Sequence, residues 1–253
     1  MSGWHTSRGE VMGAGVTNQL SKRAPRSRRL LGGLTAAAAI AVCLNAATIT
    51  RVQAVDDALQ GSEILSRPTD RGVTIHAIAA RALTATVEWS RGSDDWRSTA
   101  AVSAGAGEPF DVVVTGLAPN TEYVYRLTLQ VRGEAGPPVT GPARAFRTQR
   151  TAGEPFTFVV QADPHLDENS SPDVYAQALR NQLADRPDFL VDLGDAAMSD
   201  RCVINESVLC DRSRAVSYEQ VAARNALMRS YFAAIGHSVP LFMVLGNHEA
   251  EAG

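Results

Sequence analysis

The alternation of apolar and polar residues divides the chain into two regions of different character. Between residues 66 and 148, short stretches alternate with a period of two, as in 84–89 and 123–129, and turn residues separate them. This pattern is typical of half-buried β-strands. From residue 155 onwards, continuous apolar runs alternate with helical patterns. That order predicts consecutive β-α-β units with a parallel sheet and right-handed crossovers.

Two helices are predicted between the apolar runs of the second region. Ser171 is a good capping residue, with Pro172 at the first helical position, and the sequence Asp-Arg-Pro at 185–187 breaks the helix that follows. Ser217 begins a capping-box pattern for the second helix, and Gly236 ends it. The three apolar runs around these helices predict strands at 156–161, 189–193 and 241–245.

A polar cluster follows each predicted strand directly. Asp163 and His165 follow the first strand, Asp195 the second, and Asn247 and His248 the third. Because open α/β sheets place their ligands at the carboxyl ends of their strands, we expect these side chains to meet. Carboxylate, imidazole and amide groups are metal ligands, and a histidine can also donate a proton near neutral pH. Two cations sharing a hydroxide would suit in-line attack on a phosphoester.

Each cluster also has a plainer interpretation. The Asp-Pro pair at 163–164 is a turn sequence, and the Gly-Asp pair at 194–195 fits a loop without a ligand. Three such clusters at the ends of three strands favour the metal site. His237 matches no motif position and is predicted to be a solvated loop histidine. Asp192 and Glu249 are predicted to be structural neighbours of the ligands.

In order and spacing, these motifs resemble those of the calcineurin-like metallophosphoesterases. The matching sequences are Asp-Pro-His at 163–165, Gly-Asp at 194–195 and Gly-Asn-His-Glu at 246–249. The resemblance covers residues 155–253 and implies an α/β domain in which two sheets pack between helices as an αββα sandwich. It also implies a phosphoric ester hydrolase of the phosphatase type.

The resemblance assigns roles to the five polar residues. Asp163 and His165 would bind the first metal ion, Asp195 would bridge both ions, and Asn247 would bind the second. His248 would contact the phosphate and assist the leaving group. Manganese, iron and zinc, as divalent or trivalent ions, all suit such ligands.

Two departures from the family pattern shape the expectation. In purple acid phosphatases a tyrosine stands three residues after the bridging aspartate, where this chain has Met198. Those enzymes also have no histidine at the position that His165 occupies in this chain. A ferric ion bound to tyrosinate is therefore not expected. The family's later lone histidine and Gly-His-x-His sequence do not occur before Gly253. We therefore expect only the first half of the domain, with a sheet face or edge uncovered, and weak metal binding and poor hydrolysis by residues 1–253 alone.

The region 66–148 resembles a fibronectin type III domain. The stretch 117–123 is similar to the signature of that family, with Trp89 as the core tryptophan and Tyr123 at the tyrosine corner. An all-β sandwich ahead of a metallophosphoesterase domain is also the arrangement of plant-type purple acid phosphatases. The sandwich would bind substrate or cell wall, or serve as a spacer packed beside the catalytic domain, and the spacer is favoured. Residues 149–154 would form the linker.

Residues 1–54 have the features of a bacterial export signal. Basic residues precede an uncharged stretch rich in Ala and Gly at 30–50, and the sequence Ser-Arg-Arg-Leu-Leu at 27–31 resembles the twin-arginine pattern. Cleavage is expected after Ala54, which would leave a secreted or cell-envelope protein without stable membrane association. A retained N-terminal membrane anchor is the alternative.

Cysteine usage agrees with export. Once Cys43 has left with the signal, Cys202 and Cys210 remain as a pair after the Asp195 motif. An oxidising compartment would allow a disulfide between them. Two metal-binding thiols are the alternative, although their spacing fits no compact zinc motif.

Charge limits the partners of the protein. Residues 1–54 carry seven basic residues and one acid, so the rest of the chain carries −9 within a total of −3. An acidic surface argues against nucleic acid as a partner. Two functions follow from the sequence: an exported metal-dependent phosphoesterase acting on a phosphoester substrate, or a catalytically inactive fragment or remnant acting only as a fibronectin-like binding or spacer module.

Overall fold

The computed structural model describes residues 55, 57–92, 95–167, 170–196 and 217–249. All of them belong to one compact unit of the chain. The predicted export signal at 1–54, Met198 and the cysteines Cys202 and Cys210 lie outside the described residues, so their predictions stay predictions.

The first part of the described chain forms two antiparallel sheets. One sheet has the order β1-β2-β6, with β1 at Ile64–Thr69, β2 at Gly72–Ile78 and β6 at Pro109–Thr115. The other has the order β4-β3-β7-β8, with β3 at Leu83–Ser90, β4 at Arg97–Ser98, β7 at Glu122–Val131 and β8 at Val139–Thr140. Two shorter strands extend it: β5 (Val102–Ala104) pairs with β3, and β9 (Arg144–Arg147) pairs with β7.

These two sheets share one apolar core. Inward positions of β3 and β7 are buried and the positions between them are not, because successive side chains of a strand point to opposite faces. Val87 lies opposite Leu127 and Ala85 opposite Leu129, so the buried positions coincide across the pair. Residues before β1 also enter this core, since Val55 and Leu59 are buried in the same cluster.

Two aromatic residues were predicted to mark this region as fibronectin-like. The Tyr123 hydroxyl accepts a hydrogen bond from the Ala118 amide at 2.9 Å, which is the contact expected of a tyrosine corner. Trp89 packs against the core but is only partly buried, whereas Tyr125 is fully buried. The assignment of the sandwich to the fibronectin type III family stays a prediction.

The second part of the described chain forms a parallel sheet covered by two helices. Its order is β10-β11-β12, with β10 at Phe158–Gln161, β11 at Phe189–Asp192 and β12 at Leu241–Met243. Helix α1 (Pro172–Ala184) connects the first two strands, and α2 (Tyr218–Gly236) precedes the third. Buried residues of both helices, of β11 and of the segment before β12 form one cluster: Leu179, Leu190, Ile235 and Val239.

The predicted helix limits agree with the observed ones. Ser171 is the N-cap of α1 in extended backbone, although its side chain makes no capping hydrogen bond, and the helix ends before Asp185. Helix α2 begins directly after Ser217 and ends at Gly236. The strands are shorter than predicted, since Phe156, Leu193 and Val244 lie outside the ladders.

The sandwich and the helix-covered sheet are in direct contact. Ile64 of β1 shares a buried cluster with Ala196 and with Phe232 of α2. The Tyr125 hydroxyl donates a hydrogen bond to the His237 carbonyl at 2.7 Å. His237 is therefore partly buried at this contact, and the prediction of a solvated loop histidine is wrong because the sandwich covers the end of α2. Within the described ranges, no helix is long and apolar enough to cross a membrane.

Candidate metal centre

Three loops meet at the carboxyl edge of the parallel sheet, and the backbones of the first two are hydrogen-bonded to each other. The Asp163 amide donates to the Gly194 carbonyl at 3.1 Å, and the His165 amide donates to the Asp195 carbonyl at 3.0 Å. Since β10 and β11 are adjacent and parallel, the loops that follow them start side by side. The sheet register thus places the first two polar clusters next to each other.

Several residues of these loops have left-handed backbone conformations. The φ angles are 57° at Asp163, 57° at His165 and 51° at Asp195. Such conformations are unfavourable for residues with a Cβ atom and concentrate at functional sites. The backbone therefore turns sharply at three of the five residues predicted to be catalytic or ligands.

Two glycines allow the second and third loops to approach closely. A Cβ atom at Gly194 would overlap the Gly246 backbone nitrogen, and Gly194 also has a φ of 91°. A Cβ atom at Gly246 would overlap the Asp195 carboxylate. Only glycine satisfies both positions, which explains why each motif contains one.

The loops bring three potential ligand side chains together. His165, Asp195 and His248 each offer one ligand atom, and these atoms all lie within 4.8 Å of one another. The two imidazole rings are 5.3 Å apart between centroids and are inclined by 75°. Asp163 lies beside them, with its Oδ1 atom 3.5 Å from His165 Nε2. All three clustered side chains are partly buried, so the solvent screens their charges incompletely.

The His165 side chain provides a test of whether this site suits a cation. Its Nε2 atom is buried and forms no hydrogen bond within the part of the chain that the structure describes. Buried polar atoms normally have a partner, so an atom of this kind needs an explanation. An imidazole nitrogen next to two carboxylates is a suitable ligand for manganese, iron or zinc. The donor set fits a metal ion.

Asn247 is on the same loop as His248, and its side chain is exposed. Its predicted role as a ligand of a second ion stays a prediction, as do the separate roles predicted for Asp163, His165 and Asp195. His248 was predicted to assist catalysis rather than to bind metal. Its ring lies within ligand distance of both Asp195 and His165, which is compatible with either role.

Asp192, the last residue of β11, holds the loop that follows this strand through hydrogen bonds. It is fully buried, and its carboxylate accepts hydrogen bonds from the Gly194 amide at 2.9 Å and from Gln161 Nε2 at 2.6 Å. Burial raises the pKa of Asp192, the two hydrogen bonds oppose that shift, and the nearby charges of Glu249 and Asp163 add to it. The prediction of a structural neighbour fits these contacts.

Comparison with known proteins agrees with this geometry. Residues 156–253 match the sequence model of the calcineurin-like phosphoesterase family. The match and the motifs both support a metallophosphoesterase. No match was found among the curated proteins.

Two solved structures share the fold. The structure of PhoD is 17% identical, has a TM-score of 0.55, and is matched over 76% of this chain and 40% of the PhoD chain. A purple acid phosphatase from yellow lupin (Lupinus luteus) seeds is 15% identical, with a TM-score of 0.55, over 74% of this chain and 35% of the phosphatase. The chain thus spans well under half the length of either structure. These likenesses show a metallophosphoesterase-like fold.

Proposed function

We propose that this protein is an exported, metal-dependent phosphoesterase that hydrolyses phosphomonoesters or phosphodiesters. The observation that carries the proposal is the convergence of His165, Asp195 and His248 within 4.8 Å at the carboxyl edge of the parallel sheet. The family match over residues 156–253 supports phosphoester hydrolysis as the reaction class.

The proposed metal ligands are Asp163 and His165 for one ion, Asp195 between two ions, and Asn247 for the second. Two ions held there would supply Lewis-acid stabilisation of the phosphoryl oxygens and would activate water as the nucleophile. Manganese, iron and zinc all suit the mixed oxygen and nitrogen donors. We do not expect a tyrosinate ligand, because Met198 occupies the relevant position.

His248 is proposed to serve the leaving group. Its ring lies beside His165 and is partly buried, so it is placed to donate a proton to an alkoxide that departs from the proposed metal centre. Its backbone amide donates a hydrogen bond to Asp195 Oδ1 at 2.8 Å. This hydrogen bond fixes the position of the His248 backbone relative to the carboxylate that is proposed to bridge the two ions.

The rest of the proposal concerns the context of the site. Residues 1–54 would direct export, the sandwich at 66–148 would be a fibronectin-like support for the domain at 155–253, and Cys202 and Cys210 would form a disulfide. The buried cluster that Ile64 forms with Ala196 and Phe232 favours a sandwich that supports the second domain over an independent module.

Metal binding tests the proposal directly, because it does not depend on turnover. We expect the protein to bind Mn²⁺ weakly but measurably in a calorimetric titration, and Asp195→Asn to weaken binding further by more than about tenfold, since the change removes a charged ligand but keeps the shape. Asp173→Asn is the matched control, because Asp173 is exposed in the first turn of α1. Hydrolysis of p-nitrophenyl phosphate or its diester that requires Mn²⁺ and is lost in Asp195→Asn would add support.

Absence of Mn²⁺ binding by the unmodified protein would overturn the proposal, as would equal binding by the Asp195→Asn protein. Either result would favour the alternative of a non-catalytic binding or spacer module.

A further inference from the structure

Glu249 is the last residue of the third motif, and its carboxylate binds the backbone of two different loops. Oε2 accepts hydrogen bonds from the Asp195 amide at 3.0 Å and from the Gly246 amide at 2.7 Å. Oε1 accepts a hydrogen bond from the Ala196 amide at 2.7 Å. One side chain therefore satisfies three backbone donors, two after β11 and one after β12.

The same two loops are joined in the opposite direction as well. Asp195, which follows β11, accepts a hydrogen bond at its Oδ1 from the His248 amide, which follows β12, at 2.8 Å. Each loop thus places a carboxylate on the backbone of the other. The arrangement resembles the reciprocal hydrogen bonding of a helix capping box, in which two backbone donors are satisfied from both sides.

The position of Glu249 argues for support rather than for ligation. Both of its oxygens face backbone amides, and it is not a member of the cluster of His165, Asp195 and His248. Ala196, whose amide donates one of these hydrogen bonds, is fully buried in a cluster with Ile64 and Phe232. Glu249 therefore connects the third loop to Ala196, a buried residue of the core.

Only a carboxylate of this length fits these contacts. Glutamine at this position would present one acceptor oxygen and one amide donor, so at least one backbone N–H would face another donor. Aspartate would keep two acceptor oxygens but would reach one methylene group less far. The loss of partners for partly buried backbone amides would allow the two loops to separate.

We propose that Glu249 is a positioning residue that sets the separation of Asp195 and His248 by holding the backbones of their loops together. Replacing a residue that orients metal ligands without touching the metal typically weakens metal affinity by about 10–100-fold. This inference rests on the proposed function, since it assigns Glu249 to the geometry of the proposed metal centre.

The test compares Glu249→Gln with Glu249→Asp and with the control Glu219→Gln, whose side chain is exposed at the start of α2. In the metal-free protein, we expect the amides of Asp195, Ala196 and Gly246 to exchange with deuterium about tenfold faster in Glu249→Gln. We expect Mn²⁺ to bind that variant about 10–100-fold more weakly. Glu249→Asp should recover part of both losses, and Glu219→Gln should match the unmodified protein.

The outcomes separate this inference from the proposed function. Unchanged exchange at the three amides in Glu249→Gln would overturn the inference, as would Mn²⁺ affinity within about twofold of the unmodified protein. A fall in thermal stability with unchanged Mn²⁺ affinity would reduce Glu249 to a structural role and would also overturn it. If Glu249→Gln does not fold, the same comparison is made with Glu249→Asp, for which unchanged values overturn the inference. If the unmodified protein binds no Mn²⁺, the proposed function fails, and amide exchange still decides whether Glu249 holds the loops.

Discussion

The two sheets of the sandwich bury their inner faces against each other, whereas among the described residues the parallel sheet is covered by helices on one face only. In the sandwich, Ile75 and Leu83 have no exposed surface. In the parallel sheet, Leu190 is equally buried on the helix side, but Phe158 and Phe242 on the other side are 49% and 42% exposed. Parallel sheets normally bury both faces, so the exposed face is the unusual feature.

The difference extends to the backbone. Four non-glycine residues at the carboxyl edge of the parallel sheet have left-handed φ angles: Asp163, His165, Leu166 and Asp195. The second and third loops there are held together by side chains rather than by long ladders. Long strands of the sandwich, such as Glu122–Val131, instead pair continuously with their neighbours. The molecule thus combines a regular region, in which packing provides stability, with a less regular one that contains the candidate metal centre.

The largest stability effect is expected in the closed core of the sandwich. Ile75→Ala should lower the free energy of unfolding by about 2–5 kcal/mol, because it removes three buried carbons and leaves a cavity. Val113→Ala is the control on a neighbouring strand, where the side chain is 54% exposed, and it should change stability by less than about 0.5 kcal/mol. Urea unfolding measures both values, and similar losses would contradict the picture of a closed core.

A smaller effect is expected on the exposed face of the parallel sheet. Phe158→Ala should cost about 1 kcal/mol, since about half of the ring already contacts solvent. Leu190→Ala on the covered face should cost about 2–5 kcal/mol in the same urea experiment. If Phe158→Ala were the more damaging change, the two faces would not differ as the structure describes.

The contact between the two regions should contribute about as much as one hydrogen bond. Tyr125→Phe removes the donor to the His237 carbonyl and should lower the free energy of unfolding by about 1 kcal/mol. The control is Tyr218→Phe, because Tyr218 is 83% exposed. Equal stability of the Tyr125→Phe and unmodified proteins would show that the sandwich does not support the end of α2 through this contact.

The smallest effect is expected in the response of stability to acid. Burial, assisted by the charge of Arg144 and opposed by that of Glu63, lowers the pKa of His237. The unfolded chain therefore takes up this proton at a higher pH than the folded chain does. Stability should fall as the pH drops below about 6.5 and stop falling once the pH has passed through the lowered folded pKa.

His237→Gln should remove this part of the acid sensitivity. Urea unfolding midpoints are measured for both proteins at several pH values between 7 and 5. The difference between the two midpoints should change as the pH falls. A constant difference over that range would contradict the assignment.

Local signals in the sequence predicted much of the fold. Alternation over 84–89 and 123–129 predicted β3 and β7, and Ser171 with Pro172 predicted the start of α1. The ends of the parallel strands were less predictable. Apolar residues continue past the ladders at Phe156 and Val244, so hydrophobicity alone does not show where pairing stops.

The site was predictable as a set of residues but not as a geometry. The motifs identified Asp163, His165, Asp195 and His248 as neighbours, and the structure brings them together. The role of Glu249 could not be read from the sequence, because the amides of Asp195 and Ala196 that it binds lie more than 50 residues away. The burial of His237 was missed for the same reason, since a distant tyrosine covers it.

Zinc bound at the carboxyl edge of the parallel sheet would establish that edge as a metal centre. Crystals of the protein grown with Zn²⁺ and measured on both sides of the zinc absorption edge show where zinc binds. We predict an anomalous peak about 2.0–2.2 Å from a ligand atom of His165 or Asp195, the distance at which zinc binds nitrogen and oxygen. Ordered loops without such a peak, or zinc bound only elsewhere on the protein, would contradict it.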